Sequence, residues 1–337
     1  MTFRSWLLTP ALGLASMALH AQGRPAVPVS AADIRRMESA LADDSMEGRL
    51  TGTPGGARAA RYIAAQMQAI GLVPLGDSGY FQRVPVSATD SSIDLRSSFS
   101  DAASGKHETA VNVVGLLKGS DPKLAGEIIL IDAHYDHLGV GKPVNGDSIY
   151  NGADDDASGT VAVLAVARAL AGSHPKRSIL FALTTGEEEG LLGTNWMIAH
   201  FPVPLDSVVA NLETEMIARP DSLAGGVGKA WLTGYDRSTM GAMLAREHLP
   251  IVADPRPAQH FFERSDNIAY AQRGIPAHTL STFNLHADYH QPSDDISRID
   301  FAHMTIVINS EVRAVSLLAN GTVPVWNQGG RPVATPP

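Results

Sequence analysis

Two short apolar runs, each ending in acid or imidazole, constrain this chain more than anything else in it. The first, Glu127 to Ile131, leads into DAHYDH at 132–137. The second, Ile179 to Leu183, leads into TTGEEEGLLGT at 184–194. Between them, NGADDDASGT at 151–160 opens a segment from Ala157 to Ala171 that is rich in Ala, Val and Leu and reads as a helix. In open α/β sheets, ligands gather beyond the carboxyl ends of strands. Both runs deliver His or carboxylate side chains to that edge. Imidazole with several carboxylates on one edge is the donor chemistry of a hydrolytic metal site.

The rest of the chain extends the alternation. Residues 31–43 read as a helix with Ser30 as N-cap. MEGRLTGTPGG at 46–56 reads as a loop. Ala57 to Ile70 has helical periodicity and stops at Gly71, a C-cap signal. Phe81–Val86, Val111–Leu117, Val208–Leu212 and Ile275–Leu280 read as strands. Leu191–Ala199, Ser238–Glu247 and Met304–Leu318 read as helices. The stretch from Gly139 to Tyr150, with three glycines and Pro143, reads as a loop beside the candidate ligands. Ser87 to Ser104 reads as a surface connection, too short for an inserted domain. The pattern predicts an α/β three-layer sandwich: a central, mostly parallel mixed sheet with helices on both faces.

Composition narrows the function. With 337 residues, 44% hydrophobic and 18% charged, the chain can bury a sizeable core. The net charge of −9 argues against nucleic acid as a partner. There are no cysteines, so any metal must sit on His, Asp and Glu. At the N-terminus, Arg4 precedes an apolar stretch from Trp6 to Leu19 followed by small residues. This is a secretory signal pattern, short for a membrane span. Cleavage is expected after Ala21, with Ala18 the competitor, giving a periplasmic or secreted product that keeps no membrane anchor. The expected division is a signal peptide over 1–21, one catalytic domain over 22–326 and a disordered tail over 327–337.

AHYDH, GADDDASG, EEEGLLG and DYHQPSDD resemble, together and in this order, the signatures of the di-zinc exopeptidase family that includes bacterial leucyl aminopeptidases and glutamate carboxypeptidase. The resemblance runs from Met46 to the final helix and implies a zinc-peptidase fold. It also implies roles, residue by residue. His134 binds one zinc, and Asp155 bridges both. Glu188 and His290 bind the second zinc. The carboxylate beside His134 is Asp in the family; here Glu215, directly before Met216-Ile217, takes its place, with Glu213 as the alternative. Glu187 is the general base, Tyr289 a donor to the developing oxyanion, and Asp136 a carboxylate that holds the ring of His134. The resemblance further implies a cis peptide between Asp155 and Asp156. His137 and His286 are rival ligands, set aside because H-x-D and Y-H-Q-P carry the match. Phe261, Phe262 and Tyr270 are candidates for lining a side-chain pocket.

Charge agrees with two metals. Asp155, Glu188, Glu215 and one hydroxide balance the four charges of two zinc ions; cobalt or manganese are possible substitutes. The expected function is a zinc-dependent aminopeptidase acting on peptides with a free N-terminus. The alternatives are a carboxypeptidase or a single-zinc glutaminyl cyclase on the same fold, or a receptor-like domain without catalysis. Metal content distinguishes them: about two ions for the peptidase, one for the cyclase and none for a receptor.

Overall fold

The computed structural model describes residues 26–85 and 109–333. The expected signal segment (1–21) and the serine-rich connection (87–104) lie outside these residues.

The strands follow chain order as β1 (Val73–Pro74), β2 (Phe81–Val84), β3 (Ala110–Leu117), β4 (Ile128–His134), β5 (Gly139–Val144), β6 (Asp147–Tyr150), β7 (Ser178–Thr184), β8 (Val208–Glu215), β9 (Ala230–Leu232), β10 (Ile251–Ala253) and β11 (Ala277–Ser281). Nine of them form one sheet, ordered β1-β3-β7-β4-β8-β11-β9-β10, with β2 alongside β3. The central four, β7, β4, β8 and β11, are mutually parallel. Antiparallel neighbours flank them: β3 on one side and β9 on the other.

The helices are α1 (Ala31–Leu41), α2 (Pro54–Ile70), α3 (Gly159–Leu170), α4 (Leu192–Ala199), α5 (Met240–Arg246), α6 (Asn267–Gln272) and α7 (Phe301–Asn320). Alternation along the strands separates two cores. Ile129, Ile131, Phe181 and Leu183 pack with α1, α2, α3 and α7. Ile128, Leu130, Leu180 and Ala182 pack with α4 and α6 on the opposite face. Because side chains alternate faces along a strand, both faces of β4 and β7 are covered, and their runs are apolar throughout. Full burial of one such Ile or Leu contributes roughly 1.5–3 kcal/mol. The layered sandwich predicted from the sequence is therefore the observed fold.

Several boundaries differ from expectation for identifiable reasons. Helix α2 begins at Pro54 rather than Ala57. The Thr53 hydroxyl accepts from Gly56 N at 3.2 Å, and Pro54 occupies the first turn, where its missing N–H costs nothing. The expected loop over 139–150 is a hairpin of β5 and β6, turned at Asn145-Gly146 with both residues at positive φ. Strand β8 runs three residues past Leu212 because Glu213 and Thr214 find buried partners there. Of the segment expected to be a disordered tail, residues 327–333 are described, and its first residue is tied to the body: Asn327 N donates to Arg237 O, and its side-chain amide donates to Asp236 O.

Helix α7 carries a buried acid, Glu311, which accepts from the Thr214 hydroxyl at 2.7 Å. Burial pushes its carboxyl up to about 7, with Thr214 pulling the other way. Its folded value lies above the ordinary one near 4.5. The folded state therefore holds the proton that the unfolded chain loses, and stability falls as pH rises from about 4.5 to 7. Glu311→Gln mimics the protonated form, so its stability should lack this slope. At pH 8 it should exceed the wild type by about 3 kcal/mol. Denaturant titrations of both proteins at pH 5 and pH 8 check this; parallel pH profiles would contradict it.

Candidate metal centre

The register of the parallel strands brings the candidate residues to one edge. His134 ends β4 and pairs with Thr184 at the end of β7. Glu215 ends β8 and pairs with Ser281 at the end of β11. Beyond this edge lies the turn 153–158, which contains Asp155 and leads into α3. The Asp155–Asp156 peptide is cis, as the resemblance implied.

Each acid of the DDD run has its own task. Asp154 Oδ1 accepts from Ala218 N at 2.8 Å. Asp156 Oδ1 accepts from Gly159 N and Met216 N, both at 2.9 Å. It thus caps the start of α3 and grips the residue after Glu215. Asp155 is left to face the cleft. Its Oδ1 stands 3.4 Å from His134 Nε2, and its Oδ2 stands 3.2 Å from His290 Nε2. Glu188 Oε2 is also 3.2 Å from His290 Nε2. Ligand atoms of His134, Asp155 and Glu215 lie within 4.8 Å of one another. The sequence-derived set therefore converges, with Asp155 at its middle.

The loop bearing His290 is held by charge. Arg219 donates to Asp288 Oδ2 at 2.6 Å and to Asp294 Oδ1 at 2.7 Å. Asp294 Oδ2 accepts from Asp154 N and Asp155 N, both at 3.1 Å. One carboxylate thus ties the loop to the turn. His286, a rival ligand in the sequence, faces Asp154 Oδ2 at 3.1 Å in this same network.

Glu213 and Glu215 separate cleanly. Glu213 accepts from the Ser265 hydroxyl, from Asp266 N and Asn267 N at 3.0 Å each, and from the Thr279 hydroxyl at 2.7 Å. Both its oxygens are engaged in fixing the segment 265–267. Glu215 instead lines the cleft.

Electrostatics shows what the cleft favours. Against burial, Asp155 and Glu188 carry His290 up to about 10. Against burial and Asp155, the close imidazoles of His137 and His290 draw Glu188 down to about 2. Burial raises Glu187 well above the carboxylate range; His134 opposes this, and Glu215 and Glu188 add to it. The acids gathered around these imidazoles thus make the cleft favour positive charge.

Glu187 and Tyr289 line the same cleft with Met216, Trp231, Phe261 and Phe283, around a cavity of about 50 Å³. The Tyr289 ring stacks on His290 with centroids 3.8 Å apart. Burial and the four nearby carboxylates raise its phenol, which therefore keeps its proton. Of the three aromatic candidates only Phe261 lines the cleft; Phe262 and Tyr270 pack in the core around α6. Asp136 lies beside the ring of His134, as expected, and meets it with its backbone as well as its carboxylate. The ring Nδ1 of His134 lies 3.2 Å from the Asp136 backbone carbonyl and 3.6 Å from its carboxylate. A carbonyl only accepts, so Nδ1 donates its hydrogen there, which aims Nε2 at the cleft. The Asp136 carboxylate also accepts from Glu187 N at 3.3 Å.

Peptidase family M28 matches this chain over residues 112–311, more than half its length. The chain belongs to that family. It is 26% identical over 306 residues to a probable leucine aminopeptidase 2 of Aspergillus fumigatus, covering 84% of this chain. The chain spans just over half the length of that relative, 57%. Its fold is similar to that of a zinc aminopeptidase from Bacillus subtilis, with a TM-score of 0.64 and 16% identity over 87% of this chain and 96% of the other. The aminopeptidase from Aneurinibacillus sp. strain AM-1 gives a TM-score of 0.62 at 17% identity, over 89% and 96%.

Within this M28 chain, the residue that motif matching undervalued is His137. It is fully buried, with Nδ1 2.8 Å from Glu188 Oε1 and 3.8 Å from Asp155 Oδ2. His137, Asp155 and Glu188 also satisfy the 4.8 Å proximity of a metal-binding group. Glu188 presents Oε2 to His290 and its other oxygen to His137, so the two imidazoles hold this carboxylate from both sides. Gly152 makes room for it, at φ +55: a Cβ there would lie 2.5 Å from the imidazole ring. The H immediately after H-x-D was the available signal, but its partner is 51 residues away.

Proposed function

We propose that this chain is an exported two-zinc aminopeptidase that removes residues from the free N-termini of peptides. The observation that carries the reading is Asp155, whose two oxygens face different histidines. Zinc ligands at roughly 2.0–2.2 Å from a tetrahedral ion stand about 3.2–3.6 Å apart. The separations of 3.4 and 3.2 Å here fit that edge length. His134 Nε2 and His290 Nε2 are buried atoms without a hydrogen-bond partner, as waiting ligand atoms should be. His134, Asp155 and Glu215 would hold one ion, and Asp155, Glu188 and His290 the other.

Two bound zinc ions supply the Lewis acidity that activates water and polarises a carbonyl; cobalt or manganese can do the same. The side chains do the rest. Glu187, raised by burial, takes the proton from the attacking water and passes it to the leaving amine. Tyr289 keeps its proton and donates to the oxygen on which charge develops. The walls of Met216, Trp231, Phe261 and Phe283 accept an apolar side chain.

The free-amine preference is supported by the relatives named leucine aminopeptidases. Hydrolysis of aminoacyl but not N-acylated chromogenic substrates by the zinc-loaded protein, abolished by chelation and restored by zinc, is the expected result. Cleavage of N-acylated substrates alone would contradict it. Export is supported by the N-terminal pattern around Arg4 and Trp6–Leu19. No helix among the described residues is long and apolar enough to cross a membrane. An exported product whose mass begins at Gln22 is the check; a cytoplasmic product still carrying Met1 would contradict export.

A further inference from the structure

The segment EGR at 47–49 has an unusual backbone. Glu47, Gly48 and Arg49 have φ of 50°, 60° and 54° in succession. Such a run is unfavourable for residues with a Cβ and persists only where surrounding structure imposes it. Gly48 sits against the β5–β6 hairpin: a Cβ there would lie 2.4 Å from Tyr150 O and 2.6 Å from Gly139 O. The turn drives Arg49 inward until its side chain is wholly buried.

A guanidinium has five N–H groups, and here each meets a backbone carbonyl. Nε donates to Tyr135 O at 2.7 Å. Nη1 donates to Leu41 O at 3.0 Å and to Asn151 O. Nη2 donates to Gly152 O at 2.9 Å and, at the longer distance of 3.5 Å, to Asp155 O. Burying an ion without a directly bonded counter-ion is costly. The carbonyls identify what the cation is for. Tyr135 directly follows His134. Asn151, Gly152 and Asp155 belong to the turn that presents the central carboxylate. Asn151 adds a second tie to the same segment, donating to Ala42 O and Asp44 Oδ1 at 3.0 Å each.

We propose that Arg49 is a positioning residue for the metal centre: it fixes the end of β4 against the turn 151–155, so that His134 and Asp155 stand at ligand spacing before any ion arrives. The proposal rests on the metal reading above. It places a determinant of that centre in a segment N-terminal to the family match at 112–311.

The test compares the full chain with Arg49→Lys, Arg49→Met and a control, Ile63→Ala, which opens a cavity in buried α2 and touches none of these carbonyls. Lysine keeps the charge but has three donors from one nitrogen and cannot hold five carbonyls. Zinc and cobalt affinities are measured against a competing chelator, with visible spectra of the cobalt-loaded proteins and thermal unfolding of the metal-free ones. Arg49→Lys and Arg49→Met should bind both ions about 10–100-fold more weakly and show altered cobalt spectra. Ile63→Ala should lose stability yet keep wild-type affinity and spectrum. Wild-type metal binding by Arg49→Lys, or equal weakening by Ile63→Ala, would overturn the proposal. Should the Arg49 variants fail to fold, amide exchange in the wild type decides. Segment 151–156 should be as protected without metal as with it; free exchange on metal removal overturns the proposal. A wild-type chain that binds no zinc would fail the metal reading itself, which the first titration reveals.

Discussion

Glu187→Gln should keep both zinc ions and lose at least about 10²–10⁴-fold in turnover, the usual loss when general acid–base help is removed. The substitution preserves size and removes only the basic site. The Glu187 backbone N–H still donates to Asp136, so the local backbone should hold. Glu188→Gln should behave differently. Glu188 faces His290 with one oxygen and His137 with the other. An amide there offers a neutral oxygen that binds zinc poorly, and places an NH₂ against one of the two imidazoles. Metal should be lost first and activity with it, and excess zinc should recover part of the rate. Both variants are followed through a zinc titration, reading stoichiometry and rate together. Loss of metal by Glu187→Gln with retention by Glu188→Gln would exchange the two roles. No change in either would remove both residues from the site.

The second large effect separates the glutamates of β8. Glu215→Ala removes a carboxylate from the group around His134 and should empty one of the two ion positions, with near-complete loss of activity. Glu213→Ala should leave both ions bound. Its cost falls on the fold instead, because the Ser265, Asp266, Asn267 and Thr279 donors lose their shared acceptor in a buried place. Each buried donor left unmade costs about 1–3 kcal/mol, so Glu213→Ala should unfold well below the wild type. Metal analysis and thermal unfolding of the two variants should therefore give opposite patterns. A metal-depleted but thermally normal Glu213→Ala would move the ligand to Glu213.

These assignments also show what could be read before the structure. That His134, Asp155, Glu188, Glu215 and His290 would meet at one edge was legible through the resemblance their motifs carry, set at or just beyond the ends of strands that are themselves legible. β4 and β7 are apolar on both faces, which is how a doubly covered parallel strand reads in sequence. Elements without that signal were missed. Strands β9 and β10 have three residues each, too few for a period to appear. Helix α6 has six residues and no side-chain cap. The β5–β6 hairpin was announced by Asn145-Gly146 but outweighed by its glycines and Pro143.

The supporting residues were hidden for another reason: they act at long range. Four of the five carbonyls that Arg49 reaches lie 86 to 106 residues away, and Asp294 reaches amides about 140 residues away. Asp136 was correctly placed beside His134, yet its backbone rather than its carboxylate makes the closer approach. No spacing rule within a segment reports such contacts. They follow from the register β7-β4-β8-β11, which brings the strand ends together and leaves the loops to be tied across them.

The central claim is that Asp155 stands between two ions. Zinc bound per chain, counted by mass spectrometry after loading and desalting, tests it most directly when paired with rate as zinc is returned to metal-free protein. The account predicts two zinc ions per chain and full activity only as the second position fills. One ion or none at saturation, or full activity in the metal-free protein, would contradict it.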